Sequence, residues 1–177
     1  MPRTNPAARR PEDVPAEADN TQLTGELDLA LRVVVALLLG LAIGAEREWR
    51  GHPAGLRTMA LISAGSCMFT GLGLIPDFPR SVDPTRIAAQ IVTGVGFLGA
   101  GSILRQGELV RGLTTAASIW VAASLGMAVG FGYYRLAVFV TLIVVLVLLV
   151  LKPLEERIFR RRGHRRETDQ LQDEIRS

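Results

Sequence analysis

The chain has 177 residues, of which 49% are hydrophobic and 21% charged, and its formal net charge is +3. The charges are unevenly placed, because five charge-free stretches of 13 to 23 residues together make up about half of the chain. A membrane-spanning helix needs about 20 mostly apolar residues. This pattern excludes a soluble globular enzyme, a disulfide scaffold and a disordered chain, and the single cysteine, Cys67, has no intrachain partner.

The first 26 residues precede the first apolar stretch and contain four prolines and eight charges. Such a composition buries too little apolar surface to fold, and it lacks the early apolar run of a signal peptide. Residues 1–26 are therefore predicted to form a disordered tail.

The five apolar stretches predict an all-α fold, a polytopic membrane protein with a bundle of about five transmembrane helices over residues 27–151. Arg32 lies one turn inside the first stretch, where a long arginine side chain can extend to the membrane interface. The predicted spans are about 28–45, 58–75, 87–104, 113–131 and 136–151.

The last 26 residues, 152–177, are predicted to form a basic cytoplasmic tail. Seven basic residues lie between Lys152 and Arg166. A basic cluster beside a span attracts anionic lipid headgroups, and we expect no nucleic acid there. With five spans, 12 basic residues fall on the side of this tail and 6 on the other. The positive-inside rule then predicts a cytoplasmic C-terminus and an external N-terminus.

Glycines predict which helices pack closely, because small residues let helices approach each other in lipid. Two GxxxG motifs occur, one in the first span and one in the fourth. The third span has four glycines and is predicted to be the central helix, whereas the fifth has none and is predicted to face lipid. The predicted packing positions are Gly40, Gly44, Gly94, Gly96, Gly99, Gly101, Gly126 and Gly130.

The run from Gly94 to Gly99 also matches the GxGxxG pattern of dinucleotide-binding proteins. That site requires a strand before the pattern and a helix that opens at it, and here the pattern lies within an apolar span. Close helix packing is the favoured interpretation. A local helix break that lines a polar cavity is the alternative.

Charged and hydroxyl side chains cluster at the ends of the spans. They predict either a solvated belt that sets topology or a polar network in which Glu46 pairs with Arg57 or Arg111. Asp83 precedes the third span as a predicted N-cap, and a further role for Asp83 and Arg86, on the opposite membrane side, stays open. The predicted functional polar cluster comprises Glu46, Arg47, Arg57, Thr58, Asp83, Arg86, Arg111, Thr114 and Thr115.

Catalytic and metal-binding patterns are missing from the sequence. His52 and His164 have no metal-ligand partner at a useful spacing, and no Ser/His/Asp or Cys/His set is visible. The sequence therefore predicts no enzyme activity, no cofactor and no metal site.

Three sequence blocks follow one another, from Gly40 to Thr58, from Asp83 to Gly101 and from Val110 to Ala123. In this order and spacing they resemble the MgtC/SapB family of bacterial inner-membrane proteins. The resemblance implies a five-span domain of the inner membrane, linked to magnesium limitation and, in pathogens, to virulence and survival inside host cells. For some members it implies regulation of the ATP synthase rather than ion transport.

Several members of that family continue into a soluble C-terminal domain of the ACT type. About 25 residues follow the last span here, so the short form without this domain is expected. Two functions stay open, a regulatory or partner-binding membrane protein and a Mg²⁺ transporter or channel subunit. The expected partners are the lipid bilayer and other membrane proteins such as the ATP synthase, and a homo-oligomer also stays open.

Overall fold

A computed structural model of the chain describes residues 16–74, 83–107 and 109–151, with side chains from Thr24 onward. These ranges hold five helices and one two-stranded hairpin, so the predicted all-α fold class is confirmed. The elements are α1 (Ala16–Trp49), α2 (Leu56–Leu72), α3 (Pro84–Gly101), β1 (Leu104–Gln106), β2 (Leu109–Arg111), α4 (Leu113–Gly130) and α5 (Tyr134–Leu151).

Helix α1 begins at Ala16, inside the segment that was predicted to be a disordered tail. For residues 16–26 that prediction is wrong. No proline follows Pro15 in this segment, and the acidic residues Glu17 and Asp19 lie where the positive end of the helix dipole favours them. The rest of that tail, residues 1–15, and the predicted basic tail, 152–177, lie outside the described residues.

Three of the described helices are long and apolar enough to cross a membrane, namely Thr24–Trp49 within α1, α4 and α5. Helices α2 and α3 have 17 and 18 residues and fall short in length or apolar character. At 1.5 Å per residue they are about 26 Å long, against about 30 Å for the hydrocarbon core of a bilayer. The third helix also ends at Gly101 and not near Leu104, because the chain turns into the hairpin there.

Helix α2 lies between α1 and α4, and these three helices form the buried core. Ile43 of α1, Met59 and Cys67 of α2, and Leu125 and Val129 of α4 are fully or almost fully buried in it. Helix α5 leaves most of its surface exposed. Helix α3 packs mainly on α4 at the edge of the bundle, so the prediction that the third span is the central helix is wrong.

Both GxxxG motifs face α2 at distances that leave no room for a side chain. A Cβ on Gly40 would lie 2.5 Å from the carbonyl oxygen of Met59, and one on Gly44 would lie 2.6 Å from the Cα of Leu56. On α4, a Cβ on Gly126 would overlap the backbone of Ser63. Glycine therefore sets the distance between α2 and each of its two neighbours.

The glycines of α3 have a different environment. A Cβ added to Gly94, Gly96 or Gly101 would meet no atom within 4 Å, which corrects their prediction as packing positions within this chain. Gly99 faces α4, where its Cβ would lie 3.7 Å from the Cβ of Ala116, an ordinary contact. The helix runs without a break through the GxGxxG pattern, so the alternative of a local helix break is also wrong.

The hairpin between α3 and α4 occupies the segment that joins the predicted third and fourth spans. Its strands are antiparallel, with Leu104 opposite Arg111 and Gln106 opposite Leu109. Gly107 at the turn has a φ of 62°, which glycine adopts at little cost. Gly112 then leads into α4 with a φ of 91°, and a Cβ there would overlap the carbonyl of Ser102.

Candidate functional site

The polar side chains lie at two opposite ends of the bundle. Gly44 meets Leu56 at one end of the α1–α2 contact and Gly71 meets Leu29 at the other, so these helices are antiparallel. We call the first end, where α1 finishes and α2 and α4 begin, the Glu46 end. At the other, the Asp83 end, α2 finishes and α3 begins, since Ile87 lies against Gly73.

Arg47 joins α1 to α4 at the Glu46 end. Its guanidinium Nη2 donates a hydrogen bond of 2.6 Å to the hydroxyl oxygen of Thr115, and each residue is only 2% exposed. A buried arginine needs such partners because removing its charge from water is costly. Glu46, the preceding residue, is also buried and brings a negative charge next to it.

Glu46 pairs with Arg50 and not with Arg57 or Arg111. Its Oε1 lies 2.6 Å from the Nε of Arg50, four residues later in the chain and directly after the last residue of α1. Residues at this spacing share one face of a helix, whereas Arg57 and Arg111 are exposed. The predicted pairing is therefore wrong. Oε2 of Glu46 is buried and has no hydrogen-bond partner within the described part of the chain.

The same turn of α1 also contacts the two remaining neighbours at this end. Arg50 donates from Nη2 to the carbonyl oxygen of Leu149 in α5 at 2.9 Å. Glu48 accepts through Oε2 from the backbone N–H of Leu56 at 2.9 Å and so satisfies one free donor at the start of α2. We call Glu46, Arg47, Glu48 and Arg50 the α1 clamp, since together they connect α1 to α2, α4 and α5.

The α1 clamp includes two predicted residues, Glu46 and Arg47, and two that the prediction omitted. The spacing of Glu46 and Arg50 was a signal for their pair. The partners Leu149 and Leu56 use backbone groups, which leave no mark in the sequence. Of the other predicted residues at the Glu46 end, Thr115 joins this network, whereas the exposed ones remain outside it. Those exposed residues are Arg57, Thr58, Arg111 and Thr114.

Asp83 caps α3 at the other end, as predicted. Its Oδ1 accepts 2.8 Å hydrogen bonds from the backbone N–H and from the hydroxyl of Thr85. These bonds favour the carboxylate and hold the pKa of Asp83 below its usual range, with the backbone bond contributing most. Arg86 follows in the first turn of α3 and is exposed. Asp83 and Arg86 thus belong to a region separate from the α1 clamp.

Arg32 holds α1 to the far end of α4. It forms an ion pair with Asp28 one turn earlier, and its Nη1 donates to the carbonyl oxygen of Gly130 at 2.8 Å. A cation at the last carbonyls of a helix is favourable because that end carries the negative pole of the dipole. Arg32 is therefore tied within the bundle, a contact that the sequence did not reveal.

Groups of three or more His, Cys, Asp or Glu side chains that could hold a metal ion do not occur among the described residues. The apolar, exposed helices and the buried polar contacts at their ends define an all-α membrane protein.

The chain belongs to the MgtC family, as the three sequence blocks indicated. The sequence profile of that family matches residues 33–157. No solved structure matches the chain.

Curated relatives come from several bacteria. The protein MgtC of Salmonella typhimurium (strain LT2) is 47% identical over 128 residues, which are 72% of this chain and 54% of the relative. The Escherichia coli K12 protein named "Putative magnesium transporter YhiD" is 43% identical over 143 residues, 77% of this chain and 66% of the relative. The protein SapB of Bacillus subtilis is 44% identical over 127 residues, which are 68% of this chain and 54% of the relative. The chain thus spans about half to two thirds of the length of these relatives.

Proposed function

We propose that this protein is a regulatory, partner-binding protein of the bacterial inner membrane that acts in adaptation to magnesium limitation. The link to magnesium comes from the family resemblance and from the name of the E. coli relative. Binding of other membrane proteins, the ATP synthase among the candidates, is the activity that we assign to it. A role in virulence or survival inside host cells belongs to the same proposal, and enzyme activity does not.

The observation that carries the proposal is the uncovered side of α3. Ala89, Thr93, Gly96 and Ala100 are all exposed, and their spacing of three or four residues places them along one face. Small residues at a helix surface allow a second helix to approach closely in lipid. Thr93 already donates its hydroxyl hydrogen to the carbonyl of Ala89, so this face does not present an unsatisfied donor to the membrane.

A five-span topology, with the N-terminus outside and the C-terminus in the cytoplasm, is part of the proposal. The Glu46 end carries more of the arginines than the Asp83 end, and positive charge favours the cytoplasmic side. We expect a reporter fused after Ser177 to read cytoplasmic and one placed before Asp28 to read external. Cytoplasmic readings from both fusions would contradict an odd number of spans.

Transport of Mg²⁺ is the second candidate, since the E. coli relative carries a transporter's name. The charges at the Glu46 end weigh against it. Glu46 is a buried acid, but Arg50 is paired with it and Arg47 lies beside it. Two guanidinium groups next to one carboxylate repel a divalent cation, which prefers several oxygen ligands and retained waters.

Growth at low magnesium separates the two functions when it is combined with a flux measurement. We expect Gly96→Leu, which covers the small-residue face of α3, to impair growth while the protein accumulates at the wild-type level. Leu146→Ala on the exposed surface of α5 is the control and should grow normally. Purified wild-type protein in liposomes should give no Mg²⁺ flux with a Mg²⁺-sensitive dye. Flux that Glu46→Gln changes would instead support transport.

A further inference from the structure

A cavity of about 920 Å³ lies between α2 and α3. Its walls are mostly apolar. Gly65 of α2 and Gly94 of α3 both line it, and a Cβ on either would meet nothing within 4 Å. Larger side chains at these two positions would therefore occupy part of the open space.

The cavity runs along the helices and has a defined direction. Phe69 and Arg86 line it towards the Asp83 end, while Leu61 and Leu98 line it further along. From Arg86 to Leu98 the helix rises about 18 Å at 1.5 Å per residue. One leaflet of the hydrocarbon core is about 15 Å deep, half of about 30 Å. The cavity thus has the length that an acyl chain needs when its headgroup lies at the Asp83 end.

The charge at the end of the cavity complements an anion. Arg86 lies in the first turn of α3, where the helix dipole adds partial positive charge. Asp83 is close enough to interact with Arg86 electrostatically, but its Oδ1 is engaged by both donors of Thr85. The guanidinium has five N–H donors, so it can face a phosphate as well. Gln90 supplies a further polar group one turn deeper.

We propose that this cavity binds an anionic phospholipid of the leaflet at the Asp83 end. One acyl chain lies between α2 and α3, and the phosphate lies against Arg86, whose planar donor group suits phosphate geometry. The site is distinct from the small-residue face of α3, because Gly96 does not line the cavity. The proposal therefore stands independently of the partner-binding function.

Phospholipid binding to the purified full-length protein tests this proposal. The protein is delipidated in detergent and titrated with phosphatidylglycerol or with zwitterionic phosphatidylethanolamine, and bound lipid is counted by native mass spectrometry. We expect one tightly held phosphatidylglycerol per chain. Gly94→Leu fills the cavity and should weaken binding about tenfold. Arg86→Gln should lower affinity for phosphatidylglycerol by about tenfold and remove the preference for it, as loss of a charged hydrogen bond implies.

The control is Gly96→Leu, the same substitution outside the cavity, which should bind lipid as the wild type does. Gly65→Leu fills the cavity from α2 and serves if Gly94→Leu fails to fold. Unchanged binding in the folded cavity-filling variant, or equal loss in Gly96→Leu, would overturn the proposal. The proposal would also be overturned if the wild type bound a second copy of the chain and no lipid, and if the cavity-filling variant lost that second copy.

Discussion

Glycine has opposite roles at the contacts of α2 with α1 and α4 and on the surface of α3. At the α2 contacts, Gly40 and Gly126 lie so close to backbone atoms of α2 that even a methyl group has no place. On α3, Gly94 and Gly96 face open space. A glycine in an apolar helix therefore marks a surface where something can come close, but only the tertiary structure tells whether the neighbour belongs to the same chain.

The α1 clamp extends this comparison to charged residues. Arg47 and Glu46 are buried; Arg47 donates a hydrogen bond to the hydroxyl of Thr115, and Glu46 forms an ion pair with Arg50. Asp83 and Arg86 at the start of α3 are exposed, and Asp83 bonds only locally to Thr85 among the described contacts. The body formed by α1, α2 and α4 is thus fixed by close packing and buried charge, whereas α3 is held by one face.

Substitution of glycine at matched positions should give the largest difference between the two regions. We expect Gly126→Ala to cost about 3 kcal/mol or more of unfolding free energy, because its Cβ would overlap the Ser63 backbone. Gly96→Ala should change stability little. Titration with sodium dodecyl sulfate in detergent measures the unfolding free energy of both variants. Equal losses of stability would contradict the distinction between the close α2 contacts and the open surface of α3.

Removal of a buried arginine should have the next largest effect. Arg47→Ala loses a charged hydrogen bond to Thr115 and leaves a hole among α1 and α4, which together cost about 3 kcal/mol. Arg57→Ala, at the exposed start of α2, is the matched control and should stay close to the wild type. If the two variants unfold at the same detergent concentration, Arg47 does not hold the helices together.

Charge reversal distinguishes the observed partner of Glu46 from the ones suggested by sequence. Glu46→Arg places three cations in one turn and should lower stability by about 2–4 kcal/mol. Adding Arg50→Glu restores an opposite-charge pair at the same spacing and should recover part of the loss. Adding Arg57→Glu or Arg111→Glu should recover nothing, and rescue by either of these would contradict the pairing described here.

The smallest effect concerns the cap of α3 and depends on pH. Hydrogen bonds from Thr85 lower the pKa of Asp83, so the folded state favours its carboxylate. This contribution is complete above the ordinary pKa of about 3.9 and is lost as the pH falls through the lower folded value. Amide exchange in the first turn of α3 should accelerate there. Asp83→Asn should lack this acid-induced change, and a change of the same size in that variant would exclude the cap as its cause.

The fold class and the polar ends could be predicted from sequence, because charge-free stretches and GxxxG spacing depend on local composition. The position of α3 could not. Its glycines look like those of a central helix, and the buried positions Ile91, Val95 and Gly99 show in the structure which side faces the bundle. The partner of Glu46 was missed for a related reason. The four-residue spacing of Glu46 and Arg50 signals their pair, but only the structure shows that Arg57, at the start of α2, is exposed.

Disulfide trapping between α3 and α4 tests the central claim, that α3 packs through its Gly99 side and leaves its other faces open. In a Cys67→Ala background, Gly99→Cys with Ala116→Cys should form a disulfide in native membranes, since their Cβ atoms would be 3.7 Å apart, within the usual range. Gly96→Cys with Ala116→Cys should not. Efficient crosslinking of the Gly96 pair, with none for the Gly99 pair, would contradict the arrangement of the helices.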